Sequence, residues 1–445
     1  MTFSRRAFGG MLLAPAVGTL VSRLSGQSCA PPPGGTPVTF KPILGLATQH
    51  RKAMSTLTPA EVTRLRLAYK RLRDLTVSDP SDPRGWTQQA NVHCWLCGGG
   101  PVEVHGSWRF LPWHRMYLYF HERILQKLLN DNSFRLPFWD WDVTLGRTLP
   151  AIFRQATVGP TPNSLFDANR SSNASGGGSI PAATFVPNPM NAANFTAFGG
   201  TATSGGGLEF GPHGRIHVWT GNPSTGLDMG LLNTAARDPV FYAHHCSIDH
   251  LWFEWNRRNP VAHANPTAAA FLSQSFLFFD ENKKWTRMKV SDVLKTNPLG
   301  YDYLPGAGLS KSTTPRFTEL THDSSSGLVK MADEDKAAFA PTGLVTNREL
   351  VVEDAILPTK TGLYNVFFGD PPPANGDQAA APNYLGYIGL IIGEHAHERK
   401  SAIRLNVTGP LLQQIMGPGT VLTYAESGSS QGTKLTYSNV YISED

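Results

Sequence analysis

Residues 105–125 read HGSWRFLPWHRMYLYFHERIL, and residues 238–257 read DPVFYAHHCSIDHLWFEWNR. Both stretches repeat apolar residues on a helical period and carry histidines among them, which predicts buried helices that bring imidazoles into a core. We expect these helices at about Pro112–Leu129 and Val240–Arg257. A third helix is predicted after Thr58, because Thr58 and Glu61 form a capping-box pattern. The fold class predicted for the first two thirds of the chain is therefore mainly α.

Histidines are concentrated in two neighbourhoods of this helical part. The first contains His93, His105, His114 and His121, and the second contains His213, His217, His244 and His245, with His250 close behind. Imidazole is a ligand for copper, zinc, iron and nickel. His213 and His217 are four residues apart, so on a helical turn both side chains lie on one face. Each neighbourhood can supply three convergent ligands, which predicts two metal ions.

The segments around these histidines resemble a known family. They are ANVHCWLC (90–97), VHGSWRFLPWHRMYLYFHERIL (104–125), GPHGRIHVWTG (211–221) and ARDPVFYAHHCSIDHLWFEW (236–255). They look like the two copper-binding regions of tyrosinases and polyphenol oxidases, and most of all those of plant catechol oxidases. The similarity covers most of residues 40–305 and includes DPRGWTQQAN (82–91) and the stretch that ends at Tyr301-x-Tyr303. It implies two copper ions, O2 as cosubstrate, and oxidation of o-diphenols to o-quinones, with ortho-hydroxylation of monophenols in the tyrosinases.

The resemblance also implies which histidines bind copper. The first ion would be bound by His93, His105 and His114, and the second by His213, His217 and His245. The family pattern D-P-x-F-x-x-x-H-x-x-x-D, read from Asp238 to Asp249, selects His245 and not His244. Adjacent helical residues point about 100° apart, so both are not expected to reach one metal ion. We interpret His121 and His250 as structural.

Further site residues follow from the resemblance. Cys97 would form a thioether with His105, and Cys94 would form a disulfide with Cys29. Cys246 is expected to be a buried thiol. Glu209 would be catalytic, positioning a water that deprotonates the phenol. Asp249, one turn after His245, could orient a ligating imidazole or brace a neighbouring loop.

Four positions are expected to control substrate access: Leu232, Gly214, Arg215 and Val218. Leu232 stands where many plant enzymes have a phenylalanine gate, which implies a more open entrance. Gly214 stands where strong monophenol hydroxylases often carry Asn, so it puts that step in doubt. Arg215 could select acidic phenols.

The domain organisation is expected to have four parts. Residues 1–28 contain Ser4-Arg5-Arg6-Ala7-Phe8 before a short apolar run, which resembles a twin-arginine export signal and predicts a periplasmic or secreted protein. Residues 29–305 would form the dicopper domain, with a surface excursion at 160–207. Residues 306–345 would be a linker, and 346–445 a small β-sandwich that shields the entrance. His395 and His397 could pass copper to the core, although a solvated loop is the favoured interpretation.

Composition limits the other partners. A net charge of +5 over 445 residues is mild, and the basic run 64–73 has helical periodicity, so no nucleic-acid partner is expected. Beyond the signal, no apolar stretch approaches about 20 residues, so no membrane anchor is expected in the mature form. Two other functions remain open. One is an O2-binding protein like the haemocyanins, and the other is a dinuclear zinc or iron hydrolase, which usually needs carboxylate ligands. The sequence leaves the preferred phenol and the oligomeric state undetermined.

Overall fold

The protein is described by a computed structural model that covers residues 29, 35–42, 48–97, 103–185, 188–221, 228–303, 316–323, 327–336, 348–374, 376–390, 399–407, 409–417 and 419–444. Its α-helices in this part of the chain are α1 Pro59–Ser78, α2 Trp86–Leu96, α3 Phe110–Leu129, α4 Ala151–Arg154, α5 Ser172–Gly176, α6 Phe195–Gly199, α7 Gly214–Thr220, α8 Val240–Arg258, α9 Ala269–Leu272, α10 Asp333–Lys336 and α11 Gly409–Met416.

The strands are shorter before residue 304 than after it. They are β1 Val38–Thr39, β2 Gln49–Arg51, β3 Thr157–Val158, β4 Thr161–Pro162, β5 Ser204–Gly205, β6 Ser275–Phe279, β7 Trp285–Lys289, β8 Tyr301–Tyr303, β9 Arg316–Asp323, β10 Leu328–Met331, β11 Arg348–Leu357, β12 Gly362–Phe368, β13 Tyr384–Leu390, β14 Arg399–Asn406, β15 Thr420–Glu426, β16 Thr433–Lys434 and β17 Asn439–Glu444. The expected combination of a helical domain and a β-rich C-terminal domain is confirmed.

Helix α1 begins as its sequence predicts. The Thr58 side chain accepts a hydrogen bond from the Glu61 backbone N–H, and the Glu61 carboxylate accepts one from the Thr58 N–H. These bonds satisfy N–H groups that have no partner inside the helix. The helix then buries Leu65, Tyr69 and Leu72 on the face that its apolar period defines.

Helices α2, α3 and α8 form the centre of the helical domain. Helix α3 is buried almost all round from Phe110 to Leu125, and its buried charged side chains Arg115 and Glu122 are ion-paired. The Tyr117 hydroxyl of α3 lies 2.9 Å from the Tyr242 hydroxyl of α8 and donates to the Gln89 carbonyl of α2 at 2.5 Å. Hydrogen bonds therefore fix three helices that together carry six of the fourteen histidines.

A second set of contacts ties the end of the helical domain to α8. Strand β2 pairs in parallel with β8, which places Arg51, Tyr301 and Tyr303 around the Asp249 carboxylate. Asp249 accepts hydrogen bonds from both tyrosine hydroxyls at 2.7 Å and from Arg115 Nε at 2.5 Å. Asp249 therefore braces a neighbouring segment, which is the second of its two predicted roles.

The segment 160–207 differs from the expected surface excursion, because much of it packs into the core. The Phe198 ring stacks on Trp255 of α8 at 4.3 Å between centroids, and Trp255 Nε1 donates to the Ala192 carbonyl at 3.0 Å. Met190 and Phe195 are also buried. These apolar residues lie in very short helices and turns, so they show no period that the sequence could reveal.

The C-terminal domain is one curled sheet around its own core. The hydrogen-bonded strand order is β13-β12-β15-β10-β9-β17-β11-β14-β5, with β16 on β15. Strand β13 at one end of this order lies close to β14 near the other end, because a Cβ added to Gly386 of β13 would lie 3.3 Å from a Leu405 methyl of β14. Strands β9 and β10 fall inside the expected linker 306–345. Its middle therefore belongs to the sheet, which corrects that expectation.

The sheet also covers the segment before α7. Strand β14 pairs in parallel with β5 of the helical domain, and Phe210 packs into the core of the C-terminal domain. The Gly389 carbonyl oxygen lies only 2.3 Å from where a Cβ on Gly214 would be. The two domains therefore meet directly over the residues that begin α7.

Candidate metal centre

The first group of histidines converges from three separate elements. His93 lies on α2, His105 on the loop before α3, and His114 in the first turns of α3. Their ring centroids are 5.4 Å (His93–His105), 5.6 Å (His93–His114) and 5.0 Å (His105–His114) apart. All three side chains are buried, and together they could hold one metal ion.

The second group contains four imidazoles. His213 closes a five-residue π-helical turn, Glu209–His213, and His217 follows it on α7. Helix α8 supplies His244 and His245, and the candidate ligand atoms of all four side chains lie within 4.8 Å of one another. The Nε2 atoms of His217 and His245 are only 3.2 Å apart. The second group is therefore as compact as a single metal site requires.

The two groups are in direct contact. The rings of His114 and His245 stack at 4.2 Å with 11° between their planes, and the His105 and His213 centroids are 5.9 Å apart. Distant parts of the chain thus form one centre that contains two candidate metal sites. The predicted ligands His93, His105, His114, His213, His217 and His245 all meet there.

Backbone carbonyls orient three of these imidazoles. His114 Nδ1 lies 2.8 Å from the Phe110 carbonyl oxygen, His213 Nδ1 3.1 Å from that of Glu209, and His217 Nδ1 3.0 Å from that of Met229. In each case Nδ1 donates, so the neutral ring presents the Nε2 lone pair.

Burial keeps these rings neutral. It lowers the pKa of His93, His114, His213 and His245 well below the ordinary value, and that of His217 to about 3. The Nε2 atoms of His114 and His213 are buried with no hydrogen-bond partner among the described atoms, an arrangement that is costly unless a metal ion takes the lone pair. Histidine-only sets suit copper, so the residues present fit a pair of copper ions.

A contact that the sequence did not reveal distinguishes His244 from the other three imidazoles of this group. Trp141 Nε1 lies 3.1 Å from His244 Nδ1. An indole N–H can only donate, so His244 Nδ1 must accept, and in a neutral ring the proton is then on Nε2. The His244 side chain cannot offer Nε2 as a ligand in that tautomer. This contact supports the predicted selection of His245 over His244, which stays a prediction.

Two carboxylates lie close to the centre. The buried Glu209 side chain accepts a hydrogen bond from the Gly106 N–H at 2.6 Å, which joins the turn of the second group to the loop of the first. Glu103 accepts from the His105 N–H at 3.0 Å, and its Oε1 is 3.4 Å from His105 Nδ1. No role is predicted for Glu103 from the sequence, although its spacing of two from His105 allowed this contact.

The four predicted access residues are all buried. Gly214 lies under Gly389, and Arg215 Nη1 donates to the Ala183 carbonyl at 3.0 Å while Nη2 donates to that of Tyr387. The Arg215 side chain is therefore directed to the C-terminal domain. Leu232 belongs to the core of the helical domain, and Val218 is also buried. Their control of substrate access stays a prediction.

The cysteines agree with the expected pattern where the structure describes them. Cys29 is disulfide-bonded to Cys94, which confirms that pairing. Cys97 and Cys246 are buried without a disulfide, and burial raises the pKa of the Cys246 thiol. The thioether from Cys97 to His105 stays a prediction.

His121 and His250 lie outside the two metal-binding groups in the described part of the chain. His121 stacks on Tyr242 at 3.8 Å between centroids, and His250 packs on Phe138 at 4.4 Å. Both contacts fit the predicted structural role. His395, His397 and the export signal 1–28 lie outside the described residues.

Family models match the helical domain and the stretch after it. The common central domain of tyrosinase matches residues 83–195 and 148–258, and the polyphenol oxidase middle domain matches residues 265–309. A chloroplastic polyphenol oxidase of Vitis vinifera is 32% identical over 388 residues, which are 76% of this chain and 62% of that protein. The chain spans less than two thirds of the length of the plant relatives named first among its matches.

Solved structures extend the likeness. The crystal structure of polyphenol oxidase from Grenache (Vitis vinifera) is 31% identical with a TM-score of 0.58, covering 64% of this chain and 94% of that one. Latent apple tyrosinase has 24% identity and a TM-score of 0.68, covering 92% and 100%. A functional unit of octopus haemocyanin shares the fold at 18% identity and a TM-score of 0.57, covering 89% and 99%.

The fold and the two histidine groups define a type-3 copper protein. Within that class, the chain belongs to the tyrosinase and polyphenol oxidase family.

Proposed function

We propose that this protein is a copper-dependent oxidase that uses O2 to convert o-diphenols to o-quinones. The observation that carries the proposal is the single buried centre formed by two adjacent groups of neutral histidines. A pair of copper ions bound there would supply O2 binding and accept two electrons from the phenol. Histidine-only ligation adds no negative charge, which keeps the metal pair a good electron acceptor.

The side chains around the centre have separate roles in this proposal. Six imidazoles hold the two ions, with three rings locked by the backbone carbonyls described above. Glu209 lies between the two groups, where a water bound to its carboxylate can take the proton of an incoming phenol. A thioether between Cys97 and His105 would hold that imidazole rigidly. Gly214 beside His213 favours diphenol oxidation over monophenol hydroxylation, and Arg215 would prefer acidic phenols once the C-terminal domain is removed.

We also propose that the C-terminal domain, residues 316–444, shields the entrance. Gly389 and Tyr387 of β13 contact Gly214 and Arg215 at the start of α7, next to His213. The likeness to latent apple tyrosinase, which covers 92% of this chain, is consistent with a covered form. The boundary would then lie in residues 304–315, since β9 already belongs to the sheet. We further propose that the protein is made as a precursor and that residues 1–28 direct its export.

The experiment compares two copper-loaded proteins, the full chain and the chain cleaved between residues 304 and 315. Catechol oxidation is measured as O2 consumption, with phenol and catechol as paired substrates. We expect the cleaved protein to oxidise catechol at least tenfold faster than the full chain, and phenol slowly. A cleaved protein that retains two copper ions but oxidises neither substrate would contradict the proposal.

A reversible O2 carrier is the second candidate, because the centre is covered and the fold is shared with a haemocyanin unit. The two functions differ in substrate access. A carrier would develop a near-ultraviolet absorption band with O2 and lose it under vacuum, without consuming catechol in the cleaved form. The zinc hydrolase is disfavoured, since both metal-binding groups among the described residues consist of histidines alone. A metal analysis that finds zinc as the bound metal would support the hydrolase function.

A further inference from the structure

A cavity of about 450 Å³ lies on the boundary between the two domains, apart from the metal centre. Its helical-domain wall includes Ala183, Arg215 and Trp219, and its C-terminal wall includes Tyr384 and Tyr387. This volume falls within the range of about 300–1,000 Å³ that small-molecule sites occupy. The cavity is therefore large enough for a single-ring aromatic ligand.

The cationic group in the wall is held in place. Arg215 donates to the carbonyls of Ala183 and Tyr387, and its guanidinium carbon lies 4.4 Å from the centre of the Tyr387 ring. The Tyr387 hydroxyl in turn bonds to the Thr184 hydroxyl at 2.7 Å. These partners are neutral, so the guanidinium brings its positive charge into a wall where water screens it weakly.

The remaining walls include aromatic rings, hydrogen-bond donors and small apolar residues. Trp219, Tyr384 and Tyr387 offer ring faces and edges of the kind that pack against an aromatic ligand. Burial raises the pKa of Tyr384 to about 12, so its hydroxyl remains protonated at neutral pH. One carboxylate, that of Asp377, lies on the exposed rim, where it caps the turn by accepting from the Ala379 N–H.

We propose that this cavity binds a small aromatic carboxylic acid, with its ring among Trp219, Tyr384 and Tyr387 and its carboxylate directed to Arg215. If the ligand bound in the opposite orientation, its carboxylate would face Asp377 at the rim and be repelled. An aromatic carboxylate combines the two properties that the walls recognise, a flat apolar ring and one negative charge.

Because both domains form the walls, the ligand binds the docked form of the protein better than a form with the domains apart. Its occupancy stabilises docking by an amount that grows with the ratio of the free ligand concentration to the dissociation constant. Under the proposed function, such a ligand would keep the metal centre covered. Binding itself does not depend on phenol oxidation.

The test measures binding of 4-methoxybenzoate, which has no free phenol to oxidise, to the copper-loaded full chain by calorimetry. Ala379→Phe adds bulk at the wall of the cavity, because Ala379 is one of its lining residues. Ala380→Phe is the matched control, on the same exposed turn and outside the lining. We expect Ala380→Phe to bind like the natural chain and Ala379→Phe to bind at least tenfold more weakly. The neutral 4-methoxybenzamide should also bind at least tenfold more weakly.

Three results would overturn the inference: no binding at millimolar probe, equal binding by the two phenylalanine variants, or equal binding of the acid and its amide. Equal binding by the two variants would place the probe elsewhere, for example at the copper ions. If Ala379→Phe does not fold, Asp377→Asn decides, since Asn can still cap the turn. Removing that negative charge should tighten binding of the acid about threefold and leave binding of the amide unchanged. Unchanged binding of the acid would refute the proposed orientation of the ligand. Catechol oxidation by the cleaved protein, without probe, reports on the proposed function separately.

Discussion

The Asp249 carboxylate lies at the centre of a buried ionic cluster of the helical domain, and Asp249→Asn should destabilise the protein strongly. Asp249 faces two guanidinium groups, those of Arg51 and Arg115, whose side chains are 0% and 1% exposed. Arg51 keeps a second carboxylate partner, Glu122 at 2.9 Å. By contrast, Arg115 bonds to Asp249 and donates a hydrogen bond to the carbonyl of Val293 at 2.9 Å. The substitution would thus leave the Arg115 charge buried among neutral groups.

Breaking a buried ion pair by removing one partner costs about 3–5 kcal/mol. We expect Asp249→Asn to lower the free energy of unfolding by this amount, measured by urea titration followed by circular dichroism. The matched control is Asp74→Asn, which removes a carboxylate that is 58% exposed and paired with Lys70 on α1. An exposed pair at this spacing contributes about 0.3–0.5 kcal/mol.

The same cluster has a pH signature. Burial alone would raise the pKa of Asp249, but the guanidinium groups of Arg115 and Arg51 and the two tyrosine hydroxyls outweigh it and lower the pKa. A carboxyl with a lowered pKa stabilises the folded state above its ordinary pKa, and this stabilisation is lost as the pH falls below about 4. A loss for Asp249→Asn no larger than that for Asp74→Asn at pH 7 would refute this reasoning.

Four further substitutions test the metal centre, its cover and a buried histidine beside it. Glu209→Gln should retain two copper ions and oxidise catechol about 10²–10⁴-fold more slowly, measured as kcat of the cleaved protein, because a base near the phenol contributes that much; an unchanged kcat would contradict the role of Glu209. His245→Ala should halve the copper content in metal analysis while His244→Ala keeps both ions, since the His244 Nε2 carries a proton; the reverse result would contradict the assigned tautomer. Gly389→Ala should increase catechol oxidation by the full chain severalfold, because the new Cβ would lie 2.7 Å from the Arg215 backbone and disturb the contact between the two domains. The control Gly376→Ala should leave catechol oxidation unchanged, because the atom nearest to its new Cβ is 4.0 Å away. Burial lowers the pKa of His121 to about 3, so the unfolded state takes up a proton below about pH 6.5 and the free energy of unfolding decreases as the pH is lowered. His121→Gln should make this decrease shallower by about 1.4 kcal/mol per pH unit between pH 6 and 4. An unchanged slope would show that His121 does not titrate on unfolding.

The sequence revealed the elements whose signals are local. The capping box of Thr58 and Glu61, the helix that begins at Val240, and the histidine spacing are all patterns within a few residues. The pairing of Cys29 with Cys94 followed from the family resemblance, and the structure contains that bond. Helix α2, which carries His93, was not predicted, because it is short and buried on several faces and so lacks a clear period.

What the sequence could not reveal depends on partners far away in the chain. The carboxylate of Asp249 meets Arg51 from 198 residues away, and Trp141 reaches His244 across 103 residues. Strands β9 and β10 lie in a polar stretch whose pairing is decided by the sheet around it. The packing of Phe198 on Trp255 likewise depends on the tertiary fold.

The central claim is that His93, His105, His114, His213, His217 and His245 hold two copper ions side by side. Metal analysis combined with electron paramagnetic resonance of the oxidised full chain tests it most directly. We predict two copper ions per chain with almost no resonance signal, because the spins of two adjacent Cu(II) ions cancel by coupling. Two copper ions that give a full signal from two separate spins, or a chain that binds one ion, would contradict it.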